Sequence, residues 1–317
     1  MAVFLGGLEY VLEEGPRHDW FDDPAIQTAA WLSLVSFLLF LERSFRSGGP
    51  VVRLTPMRKP TFVFACIFNL VIGFGLYSAT YLIPVFLGRV RGFNSLEIGT
   101  TVFVTGIAQI LSTVLAARLS QRVDPRKVIT VGLSLFAASL WWTSNIGGQW
   151  GFYDLLGPQL LRGFAIMLCI VPSVGLALTG FEQTELRYAS GLFNLMRNLG
   201  GAVGIAVVNT WLADQTRIHV ARMGESLGAA ASKAGSFLTG MTAEISRIVS
   251  DPAQALLLSQ GELARTIGRG ALTSAFDEVF RMMAWVFVVA LVLVPFCRPA
   301  PLPPQNAPKP AAPVDAH

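Results

Sequence analysis

The sequence predicts an all-α, polytopic membrane helical bundle. Three observations carry that expectation: 53% of the 317 residues are hydrophobic, only 14% are charged, and seven apolar stretches are each long enough to cross a bilayer. A helix rises 1.5 Å per residue, so about 20 apolar residues cover the roughly 30 Å of hydrocarbon. The stretch 61–87 meets this without one Lys, Arg, Asp or Glu.

The elements follow in order. Residues 1–12 are apolar but too short to span, and they lack the basic flank and cleavage pattern of a signal peptide, so they read as the end of a helix. Spans are expected over 26–41, 61–87, 96–119, 127–145, 155–180, 188–212 and 276–297. Basic residues concentrate in alternate loops: Arg43, Arg46, Arg53, Arg58 and Lys59 in the linker 43–60, and Arg118, Arg122, Arg126 and Lys127 two crossings later. Loops of the other parity are poorer in positive charge, which places the basic loops and the C-terminus in the cytoplasm. The Pro- and Ala-rich stretch 298–317 reads as a disordered tail. The long outside segment 213–275 shows Met241, Ile245 and Ile248, then Ala253, Leu256 and Leu257, at helical spacing. It is either an amphipathic helix pair resting on the bilayer surface or on the protein's own outer rim, or a docking surface for a periplasmic partner.

Composition excludes several functions. The formal charge of +4 resides in short loops that set orientation, so nucleic-acid binding is not expected. Cys66, Cys169 and Cys297 lie in apolar runs without paired spacing, and His18, His219 and His317 are scattered, so no metal or haem site is expected. No Walker loop, nucleophile elbow, arginine ladder or potassium filter is present, which disfavours an ATP-driven pump, an intramembrane hydrolase, a voltage sensor and a potassium channel.

The polar residues inside the spans are the functional candidates. Asn194, Arg197 and Asn198 fall at i, i+3 and i+4, so they share one helical face near mid-membrane. An Arg there costs about 2.5–3.5 kcal/mol on insertion scales, so the face should turn inward, either lining a cavity or bonding neighbouring helices. Gly200 and Gly204 on the same helix form a small-xxx-small pair suited to close helix packing. Arg162 either faces the cavity or extends to the outer interface, and Pro172 interrupts the same helix and can kink it. Tyr77 and Tyr81 follow Gly73 and Gly75 in the span from Thr61 and suit an amphipathic organic ligand, or anchor at the interface. Asn69 and Gln109 are further buried-polar candidates that can instead tie helices together. Asp277, Glu278 and Arg281 open the last span, where Asp277 or Glu278 can pair with Arg281 in a structural cluster. No carboxylate deep enough to carry a proton across is evident.

Three stretches carry a family likeness: LEYVLEEGPRHDWFDDPAI from Leu8, PQLLRGFAIMLCIVPSVGLAL from Pro158 and ASGLFNLMRNLGGAVGIA from Ala189. The chain resembles the C-terminal part of the EmrB/QacA drug:proton antiporters, a fourteen-helix branch of the major facilitator superfamily. The loop 116–127, with Arg118, Arg122, Asp124, Arg126 and Lys127, is similar to the weaker second copy of that superfamily's cytoplasmic gating motif. On this likeness, residues 1–42 hold the end of one extra central helix, an outside loop and the second central helix. Residues 61–297 then form the second six-helix bundle. The resemblance implies secondary export of amphipathic compounds in the bacterial inner membrane, driven by the proton gradient without a bound cofactor. It implies a first bundle, absent here, that carries the proton-coupling carboxylates, so the chain is either truncated or paired with a separately encoded half. In Gram-negative members it implies a periplasmic membrane-fusion adaptor as partner. The competing expectation is a non-transporting membrane scaffold that holds a periplasmic partner through 213–275.

Overall fold

The computed structural model describes residues 2–15, 20–46, 55–178, 181–229, 239–240, 242–247 and 251–296. The expected tail 298–317, residues 47–54 of the linker, and Met241 and Ile248 of the outside segment lie outside the described residues. The described residues form eight long helices: α1 (Ala2–Glu14), α2 (Pro24–Arg46), α3 (Pro60–Phe86), α4 (Ser95–Arg122), α5 (Pro125–Thr143), α6 (Phe152–Leu178), α7 (Gln183–Ala229) and α8 (Pro252–Leu293).

The helix starts follow from local chemistry. Pro60, Pro125 and Pro252 occupy the first turns of α3, α5 and α8, where a missing N–H costs nothing. Asn94 caps α4 by accepting bonds from the Leu96 and Glu97 amides at 3.0 and 2.9 Å, and Glu97 Oε2 accepts from the Asn94 amide at 2.8 Å. This reciprocal box satisfies donors that would otherwise be orphaned at the helix start. Asp124 and Asp251 cap α5 and α8 through the Arg126 and Ala253 amides, each at 3.0 Å. At its far end α3 passes into a π-helical turn over Leu87–Arg91, which Gly92 closes at φ 70°, a left-handed conformation that suits glycine.

Four stretches of helix, Pro60–Arg91, Ser95–Arg122, Phe152–Leu178 and Glu185–Glu225, are long and apolar enough to cross a membrane by length and composition. The spans expected at 127–145 and 276–297 fall on α5 and the end of α8, and neither is apolar enough alone. Helix α5 has 19 residues and begins with Arg126 and Lys127, while the end of α8 includes Asp277, Glu278 and Arg281. Both pack among the apolar helices: α5 lies on α6, and α8 bridges α5 and α7. Helices α4 and α5 flank α6, and α3 packs chiefly on α7 with a second contact to α6. The best apolar window of α3 is 61% buried and that of α4 only 22%, so α3 is interior and α4 presents an apolar face outward. Helix α6 continues as one element through Pro158 and Pro172, which are both buried.

The core is aromatic. Phe136 and Phe287 stack with ring centres 4.2 Å apart, and Gly75 leaves the space that the Phe287 ring fills. Phe86 and Phe276 meet edge-on at 5.4 Å. Helices α1 and α2 form an antiparallel hairpin in which the Ser33 hydroxyl donates to the Phe4 carbonyl at 2.9 Å and the Phe4 and Phe37 rings lie 4.7 Å apart. This hairpin touches the rest of the chain through α1 and α7.

The outside segment differs from expectation. Instead of a separate helix pair on the bilayer surface, α7 runs unbroken to Ala229 and α8 begins at Pro252, so both membrane helices extend beyond the apolar zone. The polar outer turns of α7 still have helix-forming residues and no proline to stop them before Ala229, whereas α8 starts at the Asp251 cap and Pro252. The inward positions on the first turns of α8 are Ala255 and Ser259, whereas Leu256 and Leu257 are exposed. The Thr242 and Ser259 hydroxyls lie 2.8 Å apart, tying residues 242–247 to α8.

The α3–α7 crossing depends on absent side chains. A Cβ at Gly73 would overlap the Arg197 carbonyl, one at Gly200 the Leu70 carbonyl, and one at Gly204 would lie 2.6 Å from Ser78 Oγ and 2.8 Å from the Phe74 carbonyl. Replacing Gly200 with Val is therefore expected to destabilise the fold by about 1–3 kcal/mol or more, as overpacking does. Gly191→Ala, on the same helix with nothing within 4 Å, should leave the detergent-solubilised melting temperature unchanged or slightly raised. Thermal unfolding of the two variants side by side checks this.

Candidate functional site

The glycine contacts bring α3 and α7 close enough for short polar side chains to bridge them. Asn69, fully buried on α3, donates its amide to the Phe193 carbonyl of α7. Its oxygen accepts from Arg197 Nε at 3.1 Å, and Arg197 Nη2 donates to Asn194 Oδ1 at 3.2 Å. The Arg197 guanidinium also sits 5.9 Å from the centre of the Phe193 ring. Next along the crossing, the Tyr77 hydroxyl donates to Asn198 Oδ1 at 3.2 Å, and the Tyr81 hydroxyl donates to Asn209 Oδ1 at 3.3 Å. Five expected residues, Asn69, Tyr77, Asn194, Arg197 and Asn198, thus converge on one crossing, with Tyr81 a turn beyond. Asn209 was not anticipated. It lies eleven residues after Asn198, three helical turns along the same face, and that spacing was its signal.

This face is not sealed. Arg197 is half-buried, and Asn194, Asn198 and Tyr77 are exposed. A cleft of about 420 Å³ lies beside them, lined by Leu8 and Glu9 of α1, Tyr77 of α3, and Leu195, Asn198, Leu199, Gly201, Ala202 and Ile205 of α7. Apolar walls with a few polar groups are the usual composition of a site for small organic molecules. Glu9 places a carboxylate in this cleft that the sequence did not reveal, because only the return of α1 against α7 brings it there.

Arg162 belongs elsewhere. It is 3% exposed between α4 and α6, so it does not extend to the outer interface and does not line the cleft. Its Nη2 donates to Gln159 Oε1 at 3.2 Å and Thr105 Oγ1 at 3.3 Å. Thr105 also donates to Gln159 Oε1 at 2.7 Å, and Gln159 Nε2 donates to the Thr101 carbonyl at 2.8 Å. Gly163 allows the approach, since a Cβ there would sit 2.6 Å from the Thr105 carbonyl. Gln109 is half-exposed on α4 near Gly163, apart from both polar groups. Among the described residues, no three His, Cys, Asp or Glu side chains gather to hold a metal ion.

The profile described as Major Facilitator Superfamily matches residues 10–205. The chain belongs to the Major Facilitator Superfamily. Within it the chain is of the EmrB type, and with its apolar helices it is a multi-pass membrane protein. It is 36% identical over 296 residues to the colistin resistance protein EmrB of Acinetobacter baumannii, covering 93% of this chain and 57% of that protein. It is 24% identical over 302 residues to the multidrug export protein EmrB of Escherichia coli K12, covering 94% and 57%. The fatty acid resistance protein FarB of Neisseria gonorrhoeae is 24% identical over 300 residues, again covering 94% and 57%. The chain therefore spans a little over half the length of the curated relatives it matches.

Two charged groups of this major facilitator chain lie at its ends. In the loop between α4 and α5, the Asp124 side chain caps α5 through the Arg126 amide, and Arg126 Nε and Nη2 are buried without a bonding partner. Arg118, Arg122 and Lys127 are exposed around them. At the opposite end, Arg281 makes no direct ion pair with either carboxylate expected to partner it, Asp277 or Glu278, although its charge lies near Asp277. His219 of the α7 extension reaches Glu278 at 3.1 Å, and Arg281 instead lies 5.9 Å from the Trp141 ring of α5, while Asp277 faces the Ile146 backbone amide. Spacing within α8 could not show that α7 continues far enough to supply His219.

The Arg162 group is a closed network, so removing one partner leaves a buried cation short of an acceptor. Gln159→Leu is expected to lower stability by about 1–3 kcal/mol, read as an earlier unfolding transition in detergent, while Gln109→Leu should leave it nearly unchanged.

Proposed function

We propose that the chain is the C-terminal half of a proton-coupled multidrug exporter, and that the α3–α7 crossing is one wall of its substrate cavity. The observation that carries this is the half-open Asn69–Arg197–Asn194 group, continued by Tyr77 and Asn198 into an apolar cleft. A desolvated Arg held by neutral amides keeps its charge available to a further anionic or polar partner. An N-terminal six-helix bundle closes the cavity from the other side, supplies the proton-coupling carboxylates, and rocks against this half to alternate access. The relatives' names, spanning colistin, multidrug and fatty acid resistance, support amphipathic organic compounds as substrates.

The basic loops set the C-terminus in the cytoplasm of the inner membrane. The α4–α5 loop, with its unpartnered Arg126, serves as the cytoplasmic gate, and the α7 and α8 extensions face a periplasmic adaptor. Asp277, Glu278 and Arg281 hold the outer helix ends together through their contacts with α5, α7 and the Ile146 loop.

Transport in membrane vesicles by the two-bundle protein tests the central claim. Arg197→Ala should reduce proton-driven efflux to background at unchanged membrane insertion, and wild-type transport by that variant would remove Arg197 from the cavity. Glu9→Gln should slow export of cationic dyes more than that of neutral ones, because it removes a negative charge from the cleft wall. An equal effect on both classes would assign Glu9 a packing role only.

A further inference from the structure

A second cavity, of about 630 Å³, lies at the end of the bundle opposite the 118–127 loop. Four separate parts of the chain build it: the π-helical turn after α3 contributes Val90 and Arg91, the connection between α5 and α6 contributes Gly148 and Gln149, α7 contributes Met223, and α8 contributes Arg269 and Thr273. Two guanidinium groups thus share one concavity whose lining includes no carboxylate.

Neither arginine has a counter-charge among the described residues. Arg91 Nη1 reaches only neutral acceptors, the Gly148 carbonyl at 3.5 Å and Gln149 Oε1 at 3.3 Å, its guanidinium lies 5.5 Å from the centre of the Phe93 ring, and Arg91 Nε is buried without a hydrogen-bond partner. Arg269 makes no ion pair, whereas Arg265, one turn earlier on α8, pairs with Glu262 at 3.2 Å. A buried donor on a cation carries a desolvation cost unless an acceptor meets it, and guanidinium groups lining one cavity suit the several oxygens of a phosphate, which accept charge-assisted bonds. The cavity also sits where the apolar window of α3 ends, at Arg91, which is the depth of lipid headgroups.

We propose that this cavity binds a phosphate group, held between Arg91 and Arg269 with the Gln149 amide as a further donor. Bound there, the phosphate links the end of α3 to α8, two elements that otherwise meet through aromatic packing. The site is independent of the substrate cleft, which lies across α3 and α7.

The test uses the full chain purified in an uncharged maltoside, with unfolding followed by tryptophan fluorescence at constant ionic strength. Dihexanoyl phosphatidylglycerol and inorganic phosphate are titrated separately. A saturable rise in the unfolding midpoint is expected with the lipid. A rise with the lipid alone identifies a headgroup site, and a rise with both identifies the phosphate itself as sufficient. Arg269→Gln, an exposed position whose change should not disturb folding, should weaken the apparent affinity about tenfold or more, as loss of a charge-assisted bond does, while Arg269→Lys retains most of it. Arg265→Gln should leave binding intact. The proposal is overturned by no saturable shift with either probe, by an Arg269→Gln variant that binds like wild type, or by equal loss in Arg265→Gln.

Discussion

The structure depends on the contact of two backbones. Where α3 crosses α7, Gly73, Gly200 and Gly204 put the main chains against each other with no side chain between them. In lipid there is little hydrophobic gain from bringing two apolar helices together, so close van der Waals contact and interhelical hydrogen bonds must supply the attraction. The glycines provide the first and make the second possible. Asn69 is a short side chain, and it spans to the Phe193 carbonyl and to Arg197 only because the helices are this close.

The two membrane arginines show how the same residue type is used in opposite ways. Arg162 is enclosed by Gln159 and Thr105, and its surroundings account for it as a polar link between α4 and α6. Arg197 has comparable neutral partners but stands at the edge of a cleft, half-exposed, beside Asn194 and Asn198. Burial separates the two roles. Helix position does not, since each lies within an apolar stretch with ample room on either side.

Much of this was legible in the sequence because it is local. The spacing of Asn194, Arg197 and Asn198 placed them on one face, and the Gly200–Gly204 interval marked a close helix approach before any partner was known. What the sequence could not show was pairing across long separations. Arg197 and Asn69 are 128 residues apart, and Glu278 and His219 are 59 apart. Hydropathy windows ended α7 near residue 212, because its outer turns become polar, yet helix propensity does not end where hydropathy does. Glu9 stayed hidden for a related reason: its meaning comes from which helix it meets.

The uninterrupted course of α7 has a mechanical consequence. At 1.5 Å per residue its 47 residues measure roughly 70 Å, about twice the hydrocarbon thickness, with the Arg197 group in the first half. A stiff rod of that length works as a lever: a small tilt where Arg197 sits is magnified at the far tip. Through His219 and Glu278 the same displacement is passed to the neighbouring rod, α8, so events at mid-membrane and at the distal surface share one moving part.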